Sequence, residues 1–174
     1  MLELLNDKEV MDDYVLGKMI RYNHRYRLQD ESVAAHSFFV SLFCLKIMAR
    51  LNLDHETERQ VLIMAALHDT AESRTSDIPH DVKNRYPEMQ SILDRIEQEY
   101  YIEHWEKYTS DVYKPNEMVY NIIKLADAYS VYQYCINENT LGNVSDEMLS
   151  IKSESLVRIK NYTAMINAII EEEA

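Results

Sequence analysis

Glycine occurs at only two of the 174 positions, 17 and 142, and proline at three. Neither a G-x-G-x-x-G fingerprint nor a glycine-rich phosphate loop can be written with so few glycines, so a bound phosphate would have to be held by side chains or a metal. Cysteine is as scarce. Cys44 and Cys135 sit inside apolar helical patterns, with neither metal-ligand spacing nor the density of a secreted disulfide scaffold. A reducing, cytoplasmic setting is therefore expected. Basic side chains number 18 against 30 acidic ones, a formal charge of −12 with pI near 4.9. That balance argues against a broad basic face tracking nucleic acid, while leaving room for a local pocket that takes a small anion. No window approaches eighteen consecutive apolar residues, and Glu3, Asp7 and Glu9 replace the basic start of an export signal, so no membrane association is expected.

What the chain does have is apolar material, 47% of 20.6 kDa, enough for one sizeable core and a single domain over residues 1–174. Apolar residues recur at helical spacing almost throughout. The periodicity predicts a first helix over Glu9 to Tyr22 ending in a basic turn (Arg21, Arg25, Arg27), and a second over Val33 to Met48 capped by Ser32. The second is apolar all round apart from its serines, His36 and Lys46, as suits a helix at the centre of a bundle. Asp54 is placed to cap a third helix that runs into His68-Asp69. Asp77-Ile78-Pro79 reads as the start of a short helix ending before Pro87. A long acidic helix follows from Pro87 to about Tyr108, another from Pro115 to near Asn139, then a turn at Leu141-Gly142-Asn143 and a last helix from about Asp146 to Glu171. No alternating strand pattern competes. The expected class is all-α, a compact bundle of about six or seven helices.

Against this apolar background a few polar residues are out of place. His36 interrupts the most apolar helix, His68-Asp69 closes another apolar face, and Asp127 lies between Ala126 and Ala128. Such groups are costly in core-like helices unless paired or metal-bound. Two histidines and two aspartates make an N2O2 donor set suited to a divalent ion with positions left open for water. Taken singly, each is equally well a helix cap or a satisfied interior hydrogen bonder, and spacing alone does not bring 36 and 127 to 68 and 69.

In order along the chain stand Arg21-Tyr22, the segment Glu31-Ser32-Val33-Ala34-Ala35-His36, His68-Asp69-Thr70-Ala71-Glu72, Asp77-Ile78-Pro79, Val82-Lys83 and Ile123-Lys124-Leu125-Ala126-Asp127. This ordered set, spread over roughly residues 14 to 132, resembles the HD-domain metal-dependent phosphohydrolases, and more specifically their small 5'-deoxynucleotidase branch.

The resemblance implies that His36, His68, Asp69 and Asp127 ligate one divalent metal ion, Co, Mn, Zn or Mg, because the extra histidines of binuclear members are missing. It implies that Glu72 orients or deprotonates the attacking water, that Asp77 assists at the substrate pocket, and that Arg21 binds the terminal phosphoryl group with its planar guanidinium. Tyr22 stands where the branch carries a tryptophan that packs on the sugar and disfavours a 2'-hydroxyl, which puts deoxyribose selection in question. Lys83 and Lys124 are further candidates for the phosphate. Most of the 13 tyrosines fall inside apolar stripes and read as core or interface rather than as a base-stacking surface.

The resulting expectation is an enzyme that hydrolyses (deoxy)nucleoside 5'-monophosphates to nucleoside and phosphate. Its partners would be the small nucleotide and further copies of the chain, as a homodimer or higher homo-oligomer, with no nucleic acid. Two rivals remain open on sequence: a triphosphohydrolase that cleaves dATP or another dNTP to deoxynucleoside and triphosphate, and a non-catalytic helical interaction protein keeping a structural metal.

Overall fold

In the computed structural model, which describes residues 11, 13–76, 78, 80–109, 114 and 116–173, the chain is all-α. Among the described residues a 3-10 turn, Val15–Gly17, precedes seven helices: α1 (Val33–Met48), α2 (His55–Leu67), α3 (Glu72–Thr75), α4 (His80–Arg85), α5 (Pro87–Thr109), α6 (Glu117–Leu141) and α7 (Asp146–Glu173). Five of these are long; α3 and α4 have only 4 and 6 residues. The expected six or seven is thus reached only by counting two short segments.

The helix starts follow their caps. Ser32 Oγ accepts the Ala35 N–H at 3.1 Å, and Asp54 Oδ1 accepts those of Glu56 and Thr57 at 2.9 and 3.0 Å. Asn116 Oδ1 accepts the Val119 N–H at 3.1 Å to open α6. That helix ends at Gly142, whose φ of 106° a side chain would oppose.

The first expected helix is not continuous to Tyr22. Beyond the 3-10 turn the chain extends, Ile20 forms an antiparallel bridge with Ser32, and the Val33 N–H bonds to the Met19 carbonyl at 2.9 Å. Gly17 weakens the helix there, and pairing with the returning segment offers the backbone other partners. Within α1 the stripe Val33, His36, Val40, Cys44 and Met48 is buried, as a central helix requires, yet Phe38, Phe39 and Leu45 are exposed.

Two compact units share the chain. One comprises Met1–Tyr26, Asp30–Ala35 and Leu67–Tyr113, where α4 packs on α5, α3 meets the 3-10 turn, and Leu16, Ala71, Leu93, Tyr100 and Trp105 are buried. The other comprises Arg27–Gln29, His36–Ala66 and Lys114–Ala174. Its backbone is the helical hairpin of α6 and α7, and its core includes Val40, Cys44, Val61, Met64, Ile122, Leu125, Val131, Met148, Ile159 and Ile166. Each fully buried aliphatic side chain of this kind contributes about 1.5–3 kcal/mol, which is what holds a polar α6 face in fixed register.

Candidate metal centre

Asp127 sits on the face of α6 that the apolar residues around it drive inward. Its Oδ1 is 3.2 Å from Nε2 of His36, a residue fully buried on α1, and its Oδ2 accepts from Arg158 Nη2 of α7 at 2.7 Å. Burial raises the Asp127 carboxyl, but the hydrogen bond and charge of His36 and the charges of Arg158 and Lys124 outweigh it and hold the group well below the usual carboxylate range. Asp127 is therefore an anionic oxygen donor at neutral pH. The other ring nitrogen of His36, Nδ1, is 3.0 Å from Ser130 Oγ.

The second histidine and aspartate lie in the other unit. Helix α2 stops at Leu67 because the Leu67 carbonyl is taken by both the N–H and the hydroxyl of Thr70, at 3.0 and 2.7 Å. His68 and Asp69 occupy the resulting turn, where the Tyr101 hydroxyl donates to the His68 carbonyl and the Glu72 N–H to that of Asp69 at 3.1 Å. Here too an imidazole Nε2 faces a carboxylate: His68 and Asp69 Oδ2 are 3.3 Å apart.

The donor set and these spacings fit a divalent ion. Ligand atoms each about 2.1 Å from one ion stand roughly 3.0 Å apart at an octahedral corner and about 3.4 Å apart in a tetrahedron. Both histidine–aspartate pairs fall in that interval.

The candidate catalytic and substrate residues divide as follows. Glu72 is half-buried at the start of α3. The helix that leads into His68 does not continue to Glu72: the chain turns through residues 68–71 and a separate helix begins. Asp77 lies outside the described residues. Arg21 and Tyr22 follow the Ile20 bridge: the Arg21 N–H bonds to the Glu31 carbonyl at 2.9 Å, its Nη1 meets Glu31 Oε2 at 3.5 Å, and its guanidinium carbon is 5.4 Å from the centre of the Tyr22 ring. Tyr22 has a φ of 57°, an uncommon conformation for an aromatic residue that is held by a turn in which its carbonyl accepts the Arg25 N–H. Lys124 lies 5.7 Å from the Tyr120 ring centre and near enough to Asp127 to lower its pKa. Lys83 is half-buried on α4.

Three residues with contacts at these places, Ser130, Arg158 and Tyr101, were not singled out by sequence reasoning. Ser130 carried a signal in standing three residues after Asp127, on the same helix face. So did Arg158, a lone arginine beside Ile159 in the apolar stripe of α7. His104 stacks on Tyr100 with ring centres 3.8 Å apart, and Arg74 lies 4.8 Å from that same tyrosine ring.

Comparison with known proteins gives the family and the fold. The family model described as 5'-deoxynucleotidase YfbR-like matches residues 14–170. The chain is 23% identical over 156 residues to the 5'-deoxynucleotidase YfbR of Salmonella arizonae, covering 79% of this chain and 76% of that protein. It is 27% identical over 138 residues to a 5'-deoxynucleotidase of Shewanella oneidensis, covering 71% and 70%. Among solved structures it shares its fold with the HD phosphohydrolase DatZ of cyanophage S-2L, bound to dA and one catalytic Zn2+ ion, with a TM-score of 0.67, 17% identity, and 98% and 99% of the two chains covered.

Proposed function

Because the chain belongs to the YfbR-like 5'-deoxynucleotidase family of HD-domain phosphohydrolases, we propose that His36, Asp127, His68 and Asp69 hold one divalent ion and that Glu72, Asp77, Arg21, Tyr22, Lys83 and Lys124 serve the family's reaction. That reaction is metal-dependent hydrolysis of (deoxy)nucleoside 5'-monophosphates to nucleoside and phosphate. The observation that carries the reading is the pair of histidine–aspartate spacings, 3.2 and 3.3 Å, at the residues that the ordered motif singles out.

The ion, when bound, supplies Lewis acidity toward the phosphoryl oxygens and a more acidic water for the attack. The chain supplies the rest. Glu72 takes the proton of the attacking water, and Asp77 assists at the substrate pocket. Arg21 exchanges its long contact with Glu31 for two parallel hydrogen bonds to the phosphoryl oxygens, an exchange helped by the greater charge of the phosphate. Tyr22, kept beside Arg21 by its left-handed backbone, packs on the sugar. Lys83 and Lys124 add positive charge at the phosphate. As the water oxygen bonds to phosphorus the P–O5' bond breaks, and the leaving oxygen collects a proton to give the nucleoside hydroxyl.

The reading extends to the whole chain. Its two units act as one catalytic domain in the cytoplasm, without nucleic acid as a partner. Among the described residues no helix is long and apolar enough to cross a membrane. The chain forms a homodimer or a higher homo-oligomer through apolar side chains left exposed on α6 and α7, such as Tyr129, Leu156, Val157 and Met165.

The test is a chromatographic product assay after metal reconstitution, on dAMP, AMP and dATP, with Asp69→Asn as control. Nucleoside and phosphate from dAMP, absent in the control, are expected. Triphosphate and deoxyadenosine from dATP would instead make it a triphosphohydrolase, and turnover of none would leave a structural metal protein.

A further inference from the structure

Glu138 is fully buried on α6, and every contact to its carboxylate is a donor. The Leu28 N–H reaches Oε2 at 2.9 Å and Oε1 at 3.1 Å, the Gln29 N–H reaches Oε1 at 2.8 Å, and Asn143 Nδ2 reaches Oε2 at 2.7 Å. One turn earlier on α6, the Tyr134 hydroxyl donates to the Gln29 carbonyl at 3.1 Å. A carboxylate taken so completely out of water is costly unless donors compensate it, and two of the donors that do so here are backbone N–H groups of one loop.

That loop is the far part of a single excursion. The chain leaves at Met19 and returns at Val33, with the Val33 N–H on the Met19 carbonyl and the Arg21 N–H on the Glu31 carbonyl closing its base. Arg21 and Tyr22 stand on the outgoing limb, and Leu28 and Gln29 are the residues Glu138 fixes. Asp127, Ser130, Tyr134 and Glu138 are spaced by three, four and four residues, one stripe along α6. Glu138 comes three turns after Asp127, back on the same face to within about 20° and about 16 Å along the axis. This buried face thus carries a metal-ligand candidate at one end and the loop anchor at the other.

We infer that Glu138, assisted by Tyr134, is a positioning residue that fixes the excursion bearing Arg21 and Tyr22, and so sets affinity for the nucleotide phosphate without touching it. The inference rests on the assignment of Arg21 as the phosphate-binding residue. Glu138→Gln puts an amide N–H2 against backbone N–H groups, loosening the loop while keeping the side chain's size. Tyr134→Phe removes the hydroxyl that bonds to Gln29 and is the milder variant should Glu138→Gln not fold.

Two readouts are needed. Limited trypsin digestion reads the loop itself, because the Arg27–Leu28 bond carries the N–H that Glu138 accepts; cleavage there is expected to accelerate in both variants. Steady-state hydrolysis of dAMP reads the consequence. KM should rise roughly ten- to a hundredfold in Glu138→Gln, and less in Tyr134→Phe, with kcat and bound metal near the wild-type values. Unchanged tryptic cleavage would overturn the anchor. Faster cleavage with unchanged KM would overturn the positioning role, as would a loss confined to kcat or to metal content. Arg21→Ala separates the underlying assignment: if it leaves KM unchanged, Arg21 is not the phosphate ligand and the positioning inference falls with it, whatever the digestion reports about the anchor.

Discussion

Replacing Ser130 by alanine should weaken metal binding without touching a ligand. Ser130 is 3% exposed, His36 is fully buried, and the hydroxyl lies 3.0 Å from Nδ1 of the imidazole. The substitution deletes a single oxygen, so the packing loss is small and the hydrogen bond dominates. A net loss of about 1–3 kcal/mol in the metal-free protein follows, because the buried ring nitrogen loses this bond, and for a domain of this size each kcal/mol lowers Tm by roughly 2–4 °C. A second effect is on the ion. Without an acceptor for the Nδ1 proton the ring loses its fixed tautomer and orientation, and groups of this kind are worth about 10–100-fold in metal affinity, or about 1.4–2.7 kcal/mol. Competition against a chromophoric chelator measures that affinity directly, and hydrolysis of dAMP at saturating metal should return toward the wild-type rate. The reasoning is refuted if Ser130→Ala lowers Tm while binding the ion as tightly as wild type, because Ser130 would then serve only the helix contact.

Other expectations follow from the same contacts. Asp127, held well below the usual carboxylate range, adds stability at pH values above its unfolded pKa of about 3.9, and that stability is lost as pH falls through its lower folded value. Arg158→Leu removes one of the charges responsible, so acid unfolding of the chelator-treated protein, followed by circular dichroism, should move to higher pH; superimposable curves would contradict this. Tyr22→Trp restores the bulk that the 5'-deoxynucleotidases carry at this place, and the ratio of kcat/KM for dAMP over AMP should rise; an unchanged ratio would remove Tyr22 from the sugar site. Burial pushes the Cys44 thiol from 9.0 up to about 12, so iodoacetamide at pH 8 should label it only after unfolding. Its contribution to stability should be intact below pH 9 and decline as pH rises from there toward 12, because only the unfolded thiol ionises in that window.

Local rules made much of the fold legible. Ser32, Asp54 and Gly142 each perform the capping or turn role that their chemistry suggested, and the long helices follow the apolar spacing to within a few residues. Where another segment of chain competes, local rules fail. The first helix gives way to a bridge with Ser32, and the helix through His68 stops because Thr70 takes the Leu67 carbonyl. The metal-ligand candidates were visible as misplaced polar residues, and the ordered motif supplied the link between them. Their supports were not, since each is a pairing across distant positions: Ser130 meets His36 from 94 residues away, Arg158 meets Asp127 from 31, and Glu138 meets Leu28 from 110. Helix periodicity says which face is buried and nothing about which residue of another helix will lie against it.

The central claim is that the two histidine–aspartate pairs share one ion. Plasma emission analysis of purified, metal-reconstituted protein tests it, alongside His36→Gln and His68→Gln. One ion per wild-type chain, lost from either variant alike, is the predicted result. A full ion retained when either histidine is replaced, or two ions per chain with one lost from each variant, would show that the pairs do not form one centre.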